Sequence, residues 1–355
     1  MRKTKGPTIL DVAKAAGVSS TSVSNYLNGR LAEMSEETRL RISSAINALQ
    51  YTPNTAARQL KTGNAPIMGL FVPSVVNPYY GELAVAVDTA AQKKGFRVVL
   101  CNTQRSPERE LDFVRELVAY GVRGILAASV LQNVAAMNAF IEQGVAFVLF
   151  ETLGADPGIE RVDVVSMNNT LAAEKAVDCL VALGHKSIAY ATATPLTPHR
   201  ASRLSGYRNA MHRHGLGEGI IITDEDIPSH SSAHNDADLA RFGHVAAAHI
   251  LTMQPRCSAV IAMNDLVALG MMSAFLEQGI SIPADISVLG IDDIQLSSFA
   301  YPTLTSVRQP YVQIAEHSIE RICARLETPN RPGETIALEP ALVLRASTSR
   351  ARQSD

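Results

Sequence analysis

The chain has 355 residues, 46% hydrophobic and 19% charged, with a formal net charge of −2. That length and apolar content suit two or three domains with packed cores, and they exclude a disordered chain or a small disulfide-stapled scaffold. Cys101, Cys179, Cys257 and Cys323 form no CxxC pair and sit among apolar neighbours, so they read as buried hydrophobes of a reducing compartment.

The near-neutral total conceals an asymmetry. Residues 1–62 hold nine Lys and Arg against four Asp and Glu, whereas the remainder holds 23 against 30. A basic head on an acidic body suits contact with nucleic acid. No apolar run approaches the ~20 residues that span a bilayer. The basic start runs into TILDVAKAAG, where Asp11 and Lys14 interrupt any signal-peptide core, so the expected location is cytoplasmic.

In chain order, residues 8–50 read as three short helices. Thr8 and Asp11 make a capping-box-like start, Val12, Ala13 and Ala16 share a face, and Gly17 ends the first helix. Ser19 caps a second helix, in which Val23 and Leu27 share a face. Ser35 caps a third, with Glu36 and Glu37 in its first turn and an apolar stripe of Ile42, Ala45, Ile46 and Leu49. YTPN breaks that helix, and TAARQLKTGN forms a brief helical turn or two.

From residue 66, short β-like runs (PIMGLFV, RVVLCN, GILAAS, AFVLF, VDVVSMN, SIAYATA, CSAVIAMN, ISVLGID) alternate with amphipathic helices. That rhythm predicts doubly wound parallel sheets. The expected architecture is a small all-α head on residues 1–52, a hinge and linker on 53–65, and a two-subdomain α/β core on 66–350. The N-subdomain is expected over about 66–165 plus 295–326, and the C-subdomain over 166–294 plus 327–350, with a return crossing near 292–297. The final β-like run, ALVLRAS, leads to no heptad-bearing extension.

Two short helices around a Gly-containing turn are the helix-turn-helix unit, whose second helix enters the DNA major groove. That role explains the serines and threonines of the second helix, which are indifferent helix formers but reach base edges and phosphates without crowding the groove. The expected exposed positions are Ser20, Thr21, Ser22, Ser24 and Asn25, and Asn25 can grip adenine through two hydrogen bonds. From the pattern alone, an unrelated helical hairpin is the alternative.

DVAKAAGVSSTSVSNYLNGR, followed by SEETRLRISSAINALQYTPNTAARQLKTG, resembles the DNA-binding head of the lac repressor and galactose repressor family. IMGLFVPSVVNPYYGELAVAVDTAAQKKGFRVVLCNTQ, VALGHKSIAYATATPLTPHRASRLSGY and AVIAMNDLVALGMMSAFLEQGISIPADISVLGIDDIQLSSFAYPTLTSVRQP match the same family in order, across nearly the whole chain. The resemblance implies a dimeric transcription regulator, commonly a repressor, on a pseudo-palindromic operator. Its core is similar to periplasmic sugar-binding proteins, with a small effector between two subdomains.

Carried over, Ser20, Thr21 and Asn25 stand where the family reads bases; Thr8, Ser19 and Asn28 complete the expected DNA-facing set of the head. Position 25 is more often Arg or Lys in the family, so Asn25 implies a preference moved from guanine toward adenine. PNTAARQLK matches the hinge helix, where Asn54, Ala57 and Leu60 face DNA and Leu60 stands at the minor-groove wedge. A buried linker residue is its plainer reading. An isolated helix so short is marginal in water.

Ligands of doubly wound folds lie at strand C-termini. The expected effector set is Tyr79, Tyr80, Arg200, Arg203, Asn264 and Asp292. An Arg facing an Asp suits vicinal hydroxyls and an aromatic ring suits a sugar's apolar face, so a sugar or sugar derivative is the expected class. Plainer readings stand beside it: an Arg203–Asp292 ion pair, Tyr79 packing at the subdomain edge, and Asp265 as a helix N-cap. Asp293 reads as a hinge or interface residue.

His212, His214, His230, His234, His244 and His249 lack the Cys or Glu that would complete a metal site, so no metal and no cofactor are expected. The chain has no phosphate-loop or nucleophile-elbow motif, and GLGEG follows a helix rather than a strand, so an enzyme is not expected. The remaining rival, a solute-binding receptor with no DNA role, predicts a signal peptide and no basic head. Without a zipper extension, a homodimer is expected in preference to a tetramer.

Overall fold

The structure, a computed structural model, describes residues 6–27, 29–32, 34–51, 65–128, 134–150, 160–194, 197–227, 238–253 and 256–352. The chain divides into two compact units, residues 1–65 and 66–355.

In the first unit, α1 (Ile9–Ala16), α2 (Ser20–Leu27) and α3 (Glu36–Ala48) each start on a hydroxyl cap. The Thr8 hydroxyl accepts the Asp11 N–H at 3.4 Å while the Asp11 carboxylate takes the Thr8 N–H at 2.8 Å. Ser19 and Ser35 accept the N–H groups of Ser22 and Thr38 at 3.1 and 3.3 Å. Gly17 ends α1 at φ +63°, a left-handed turn that a side chain would strain. Val12, Ala13, Ala16, Val23, Ile42 and Ala45 make the small core. Asn28 and residues 52–64, with Asn54, Ala57 and Leu60, lie outside the described residues.

The second unit begins with β1 (Ile67–Val72), α4 (Pro78–Lys93), β2 (Arg97–Asn102), α5 (Pro107–Ala119), β3 (Gly124–Ala127), α6 (Val134–Glu142), β4 (Ala146–Leu149) and β5 (Asp163–Met167). It continues with α7 (Asn169–Ala182), β6 (Ile188–Ala191), α8 (Pro198–Arg213), β7 (Ile220–Ile222), α9 (Leu239–Thr252), β8 (Ala259–Ala262), α10 (Asp265–Glu277) and β9 (Ser287–Asp292). It closes with β10 (Thr305–Arg308), α11 (Tyr311–Glu327), β11 (Thr335–Leu338) and β12 (Ala341–Val343).

Two six-stranded sheets form, in the orders β11-β5-β4-β3-β1-β2 and β12-β10-β9-β8-β6-β7. The described strand pairs are parallel except β10–β12. Strands such as GILA and AFVL are buried along their whole length, which is why they are apolar runs rather than alternating patterns. Helices close tightly over the second sheet: at Gly206 of α8, a Cβ would lie 2.1 Å from the Thr170 carbonyl oxygen. Only glycine allows that approach between α7 and α8.

The boundaries expected inside the core need correction. Residues 305–308, expected in the N-subdomain, form β10 of the second sheet, paired with β9 through Ser306 opposite Gly290. Residues 335–338, expected in the C-subdomain, form β11 of the first sheet, with Ile336 opposite Val165. The return crossing therefore falls at 308–311 rather than at 292–297, and a further crossing follows at 338–341. Fully buried Thr305 and Ser306 hide β10 in the sequence. The fold satisfies both: Ser347 Oγ accepts the Thr305 N–H at 2.8 Å, and the Ser306 hydroxyl donates to Asp265 at 2.6 Å.

Beyond β12 the chain straps the second sheet. His185 bridges Ser258 Oγ and the Ser349 carbonyl at 2.9 and 3.0 Å, and Arg345 reaches Asp293 at 2.6 Å. In the first sheet, a fully buried Arg325–Asp163 ion pair at 2.9 Å joins α11 to β5, and Asp163 also takes the Glu334 N–H that leads into β11.

Candidate functional site

Two surfaces carry chemistry, one in each unit. In the head, Val23 is the buried residue of α2 and turns the helix so that Thr21 is exposed, with Ser20, Ser22, Ser24 and Asn25 half-buried. Ser19 and Ser22 are joined hydroxyl to hydroxyl at 3.0 Å, and Thr8 is engaged with Asp11, so these three also serve the helix starts. The face shown is short, polar and almost free of charge, which suits base-edge contact more than plain phosphate attraction.

In the core, the strand C-termini of the two sheets enclose a cavity of about 50 Å³. Tyr79, Tyr80, Arg200, Arg203, Asn264 and Asp292 all line it. Its position follows from topology: chain leaving a parallel strand enters the loop and helix start that face the other sheet. Tyr79 and Tyr80 come from the first turn of α4, Arg200 and Arg203 from α8, Asn264 from the end of β8, and Asp292 from the end of β9. The same rule brings in Asn77, Arg105, Asn169, His199 and Gln309, which the sequence reading did not assign. Gln309 follows β10 directly and Asn169 lies two residues past β5, so recognising β10 as a strand would have pointed to Gln309.

Arg203 organises the cavity. Its guanidinium donates to Asn169 Oδ1 at 2.8 Å, to the Met263 carbonyl and to Asp292 Oδ1 at 3.3 Å. Asp292 Oδ1 also takes the Gln309 amide at 2.7 Å, and the Tyr311 hydroxyl donates to the Asp292 carbonyl at 2.9 Å. The pairing read as an alternative from the sequence is thus present inside the cavity wall. Burial pushes the Asp292 carboxyl up, and the Arg203 charge opposes that shift. Tyr79 does pack at the edge, against Tyr80 and Tyr311, with ring centroids at 4.7 and 5.7 Å.

The turn that presents Asp292 is strained and clamped. Asp292 and Asp293 have φ of +125° and +56°, uncommon for non-glycine residues, and across the cavity Gln104 and Arg105 have +53° and +57°. Asp293 sits between Arg308 and Arg345, each at 2.6 Å. Asp265 does not cap α10. Asn264 does, accepting the Val267 N–H at 3.0 Å, while Asp265 accepts the Ile294 N–H and the Ser297 and Ser306 hydroxyls at 2.9, 2.6 and 2.6 Å. A lone carboxylate at a helix start cannot reveal from sequence that its partners lie 29 to 41 residues on. Glu82 of α4 takes the Gln295 N–H at 2.7 Å, adding a contact from the first subdomain to this turn.

Among the remaining expected sites, His212, His214 and His244 face Glu218, Asp178 and Glu277 in surface pairs. His230 and His234 lie outside the described residues.

Residues 8–54 match the model of bacterial regulatory proteins of the lacI family, and residues 177–348 match a periplasmic binding protein-like domain. The HTH-type transcriptional regulator DegA of Bacillus subtilis (strain 168) is 31% identical over 346 residues, covering 96% of this chain and 98% of that protein. The chain belongs to the lacI family of bacterial regulatory proteins. The ribose operon repressor of Escherichia coli (strain K12) is 32% identical, covering 96% of this chain and 99% of that one. The lac repressor dimer bound to operator and the anti-inducer ONPF has a TM-score of 0.79 at 26% identity, covering 97% of this chain and 100% of that one.

As a lacI-family member, the chain is a DNA-binding transcription regulator, a repressor by its relatives, controlled by a small effector. Those relatives are regulators rather than enzymes. Among the described residues no helix is long and apolar enough to cross a membrane.

Proposed function

We propose that Ser20, Thr21 and Asn25 read bases of a pseudo-palindromic operator, with Thr8, Ser19, Ser22, Ser24 and Asn28 positioning the head, Asn54 and Ala57 facing DNA from the hinge, and Leu60 wedging into the minor groove. A cytoplasmic homodimer of the chain represses from that site, without enzymatic activity. The effector occupies the cavity between the two sheets of the core, held by Tyr79, Tyr80, Arg200, Arg203, Asn264 and Asp292, and it is a sugar or sugar derivative. The observation that carries this reading is the meeting of these six residues, from four separate elements, in one cavity of a chain that also bears a helix-turn-helix head.

The mechanism follows from size and linkage. A cavity of about 50 Å³ is small for a sugar ring, and a parting of the subdomains or a shift of the Arg203–Asp292 pair would make room for one. Either movement pulls on the Asp292–Gln295 turn and, through Glu82, on α4. The exposed Val85 of α4 and Val99 and Leu100 of β2 offer an apolar face for a second copy, as do Phe299 and Tyr301 of the other subdomain. Movement of α4 then changes how two heads are presented to DNA. An effector alters operator affinity only by its differential affinity for the two arrangements.

Capture of genomic fragments by purified full-length protein, at fixed near-physiological salt, tests the reading. A recovered palindrome with half-sites about one helical turn apart is expected. Random fragments whose recovery simply falls with salt would overturn it.

A further inference from the structure

The turn that leaves β9 is held amide by amide, and the last of its holders comes from the other subdomain. We infer that Glu82 is a positioning residue, a latch by which the first subdomain grips this turn and sets the exposed apolar face in one register. The consequence for the dimer rests on that face being the contact between copies; the latch itself does not.

Three consecutive backbone N–H groups lead away from the cavity, at Asp293, Ile294 and Gln295. Ser306 Oγ takes the first at 3.0 Å and the Asp265 carboxylate takes the second at 2.9 Å. Both acceptors belong to the second subdomain, as the turn does. Glu82 takes the third at 2.7 Å, and it comes from α4, which connects β1 and β2 of the first sheet. Gln295 opens a short 3-10 turn, so its N–H has no partner inside that turn. Water would serve an N–H on so exposed a residue. A carboxylate from another body does more, because it makes the bond depend on how the two bodies are placed.

The neighbouring contacts on Asp292 differ in kind. Gln309 at 2.7 Å and the Tyr311 hydroxyl at 2.9 Å reach it from the chain that crosses between the sheets. A hinge pivots at such a crossing, whereas α4 lies on no crossing. The latch is also poised. Burial pushes the Glu82 carboxyl above its usual range and the Gln295 N–H draws it down, while Asp293 and Asp292 push it up again and Arg308 opposes them. Like charge thus works against the bond that holds Glu82 on the turn.

Each end of the bond runs from the cavity to the surface. Asp292, three residues before Gln295, lines the cavity, and Leu296, Phe299 and Tyr301, just after it, are exposed. On α4, Tyr79 lines the cavity three residues before Glu82, and Val85 is exposed three residues after it. Glu82 therefore fastens together two segments that each carry one half of the apolar face, and a movement of Asp292 reaches both halves through it.

The test uses full-length Glu82→Ala and Glu82→Gln without added ligand; glutamine keeps an acceptor oxygen of the same reach. Hydrogen exchange of the Gln295 amide is expected to quicken about tenfold in the alanine variant, the scale of one hydrogen bond to a charged group, with both sheets unaffected. The dimer dissociation constant in sedimentation should rise about fivefold or more, the low end of ordinary coupling between sites. Glutamine should recover most of both effects. Unchanged exchange at Gln295, or faster exchange across both sheets, overturns the latch. Faster exchange at Gln295 with an unchanged dimer constant overturns its setting of the register, and if Val85→Glu also leaves that constant unchanged, the dimer face falls with it.

Discussion

Asp265 offers a test whose size follows directly from its surroundings. It is fully buried on α10 and holds the turn after β9 through three accepted hydrogen bonds. Burial, and next the charge of Asp292, push its carboxyl from 3.8 up to about 7. Between those values the folded core keeps a proton that the unfolded chain releases. This contribution to stability is full below about pH 4 and is lost as pH rises through 7. Three units at about 1.4 kcal/mol each set a ceiling of about 4 kcal/mol.

Comparing pH 5 with pH 8 samples about two of those units, or ~3 kcal/mol. Unfolding of a ~290-residue core carries an entropy of about 0.6 kcal/mol per kelvin, so the shift is about 5 °C. Asp265→Asn cannot ionise. Its single carbonyl oxygen sacrifices one accepted bond and lowers the midpoint at every pH, so the diagnostic quantity is the slope, not the offset. Thermal denaturation of both proteins at pH 5 and pH 8 should show the wild type losing about 5 °C more than the variant. Parallel pH profiles would refute the reasoning.

Three other outcomes are expected. Arg325→Met leaves the buried Asp163 carboxylate without its cation and should cost about 3–5 kcal/mol in urea unfolding, with Asp163→Asn in the same chain recovering part; a loss below ~1 kcal/mol contradicts the pair's role. Val85→Glu places a charge on the exposed apolar face of α4 and should raise the dimer dissociation constant at least tenfold in sedimentation, whereas an unchanged constant moves the dimer face elsewhere. Asn25→Arg should shift the preferred base of the half-site from adenine to guanine by about 1–3 kcal/mol, measured on duplexes differing at one base pair. No shift removes Asn25 from base reading.

The head was legible because its signals are local. Thr8, Gly17, Ser19 and Ser35 act within four residues, and each does in the structure what its spacing implies. The apolar strands were legible for a similar reason, since GILA and AFVL are buried end to end. What escaped was long-range. β10 carries Thr305 and Ser306, whose hydroxyls look exposed until Ser347 and Asp265 are brought to them. β7, three isoleucines beside a glycine-rich turn, is too short to signal a strand. The six assigned cavity residues followed from strand-end logic together with the family resemblance. Arg105, which also lines the cavity, did not, because nothing in QRSP announces its left-handed backbone.

The central claim is that one cavity governs one DNA-reading surface, and operator affinity measured by fluorescence anisotropy tests it most directly. The titration uses the captured operator, with and without the compound that most raises the thermal midpoint, on the wild type and on Asp292→Asn. The account predicts a change of about 5–150-fold in the wild type, an equal change in the compound's own affinity when operator is present, and loss of both in the variant. Operator affinity that stays constant while the compound saturates the protein would contradict it.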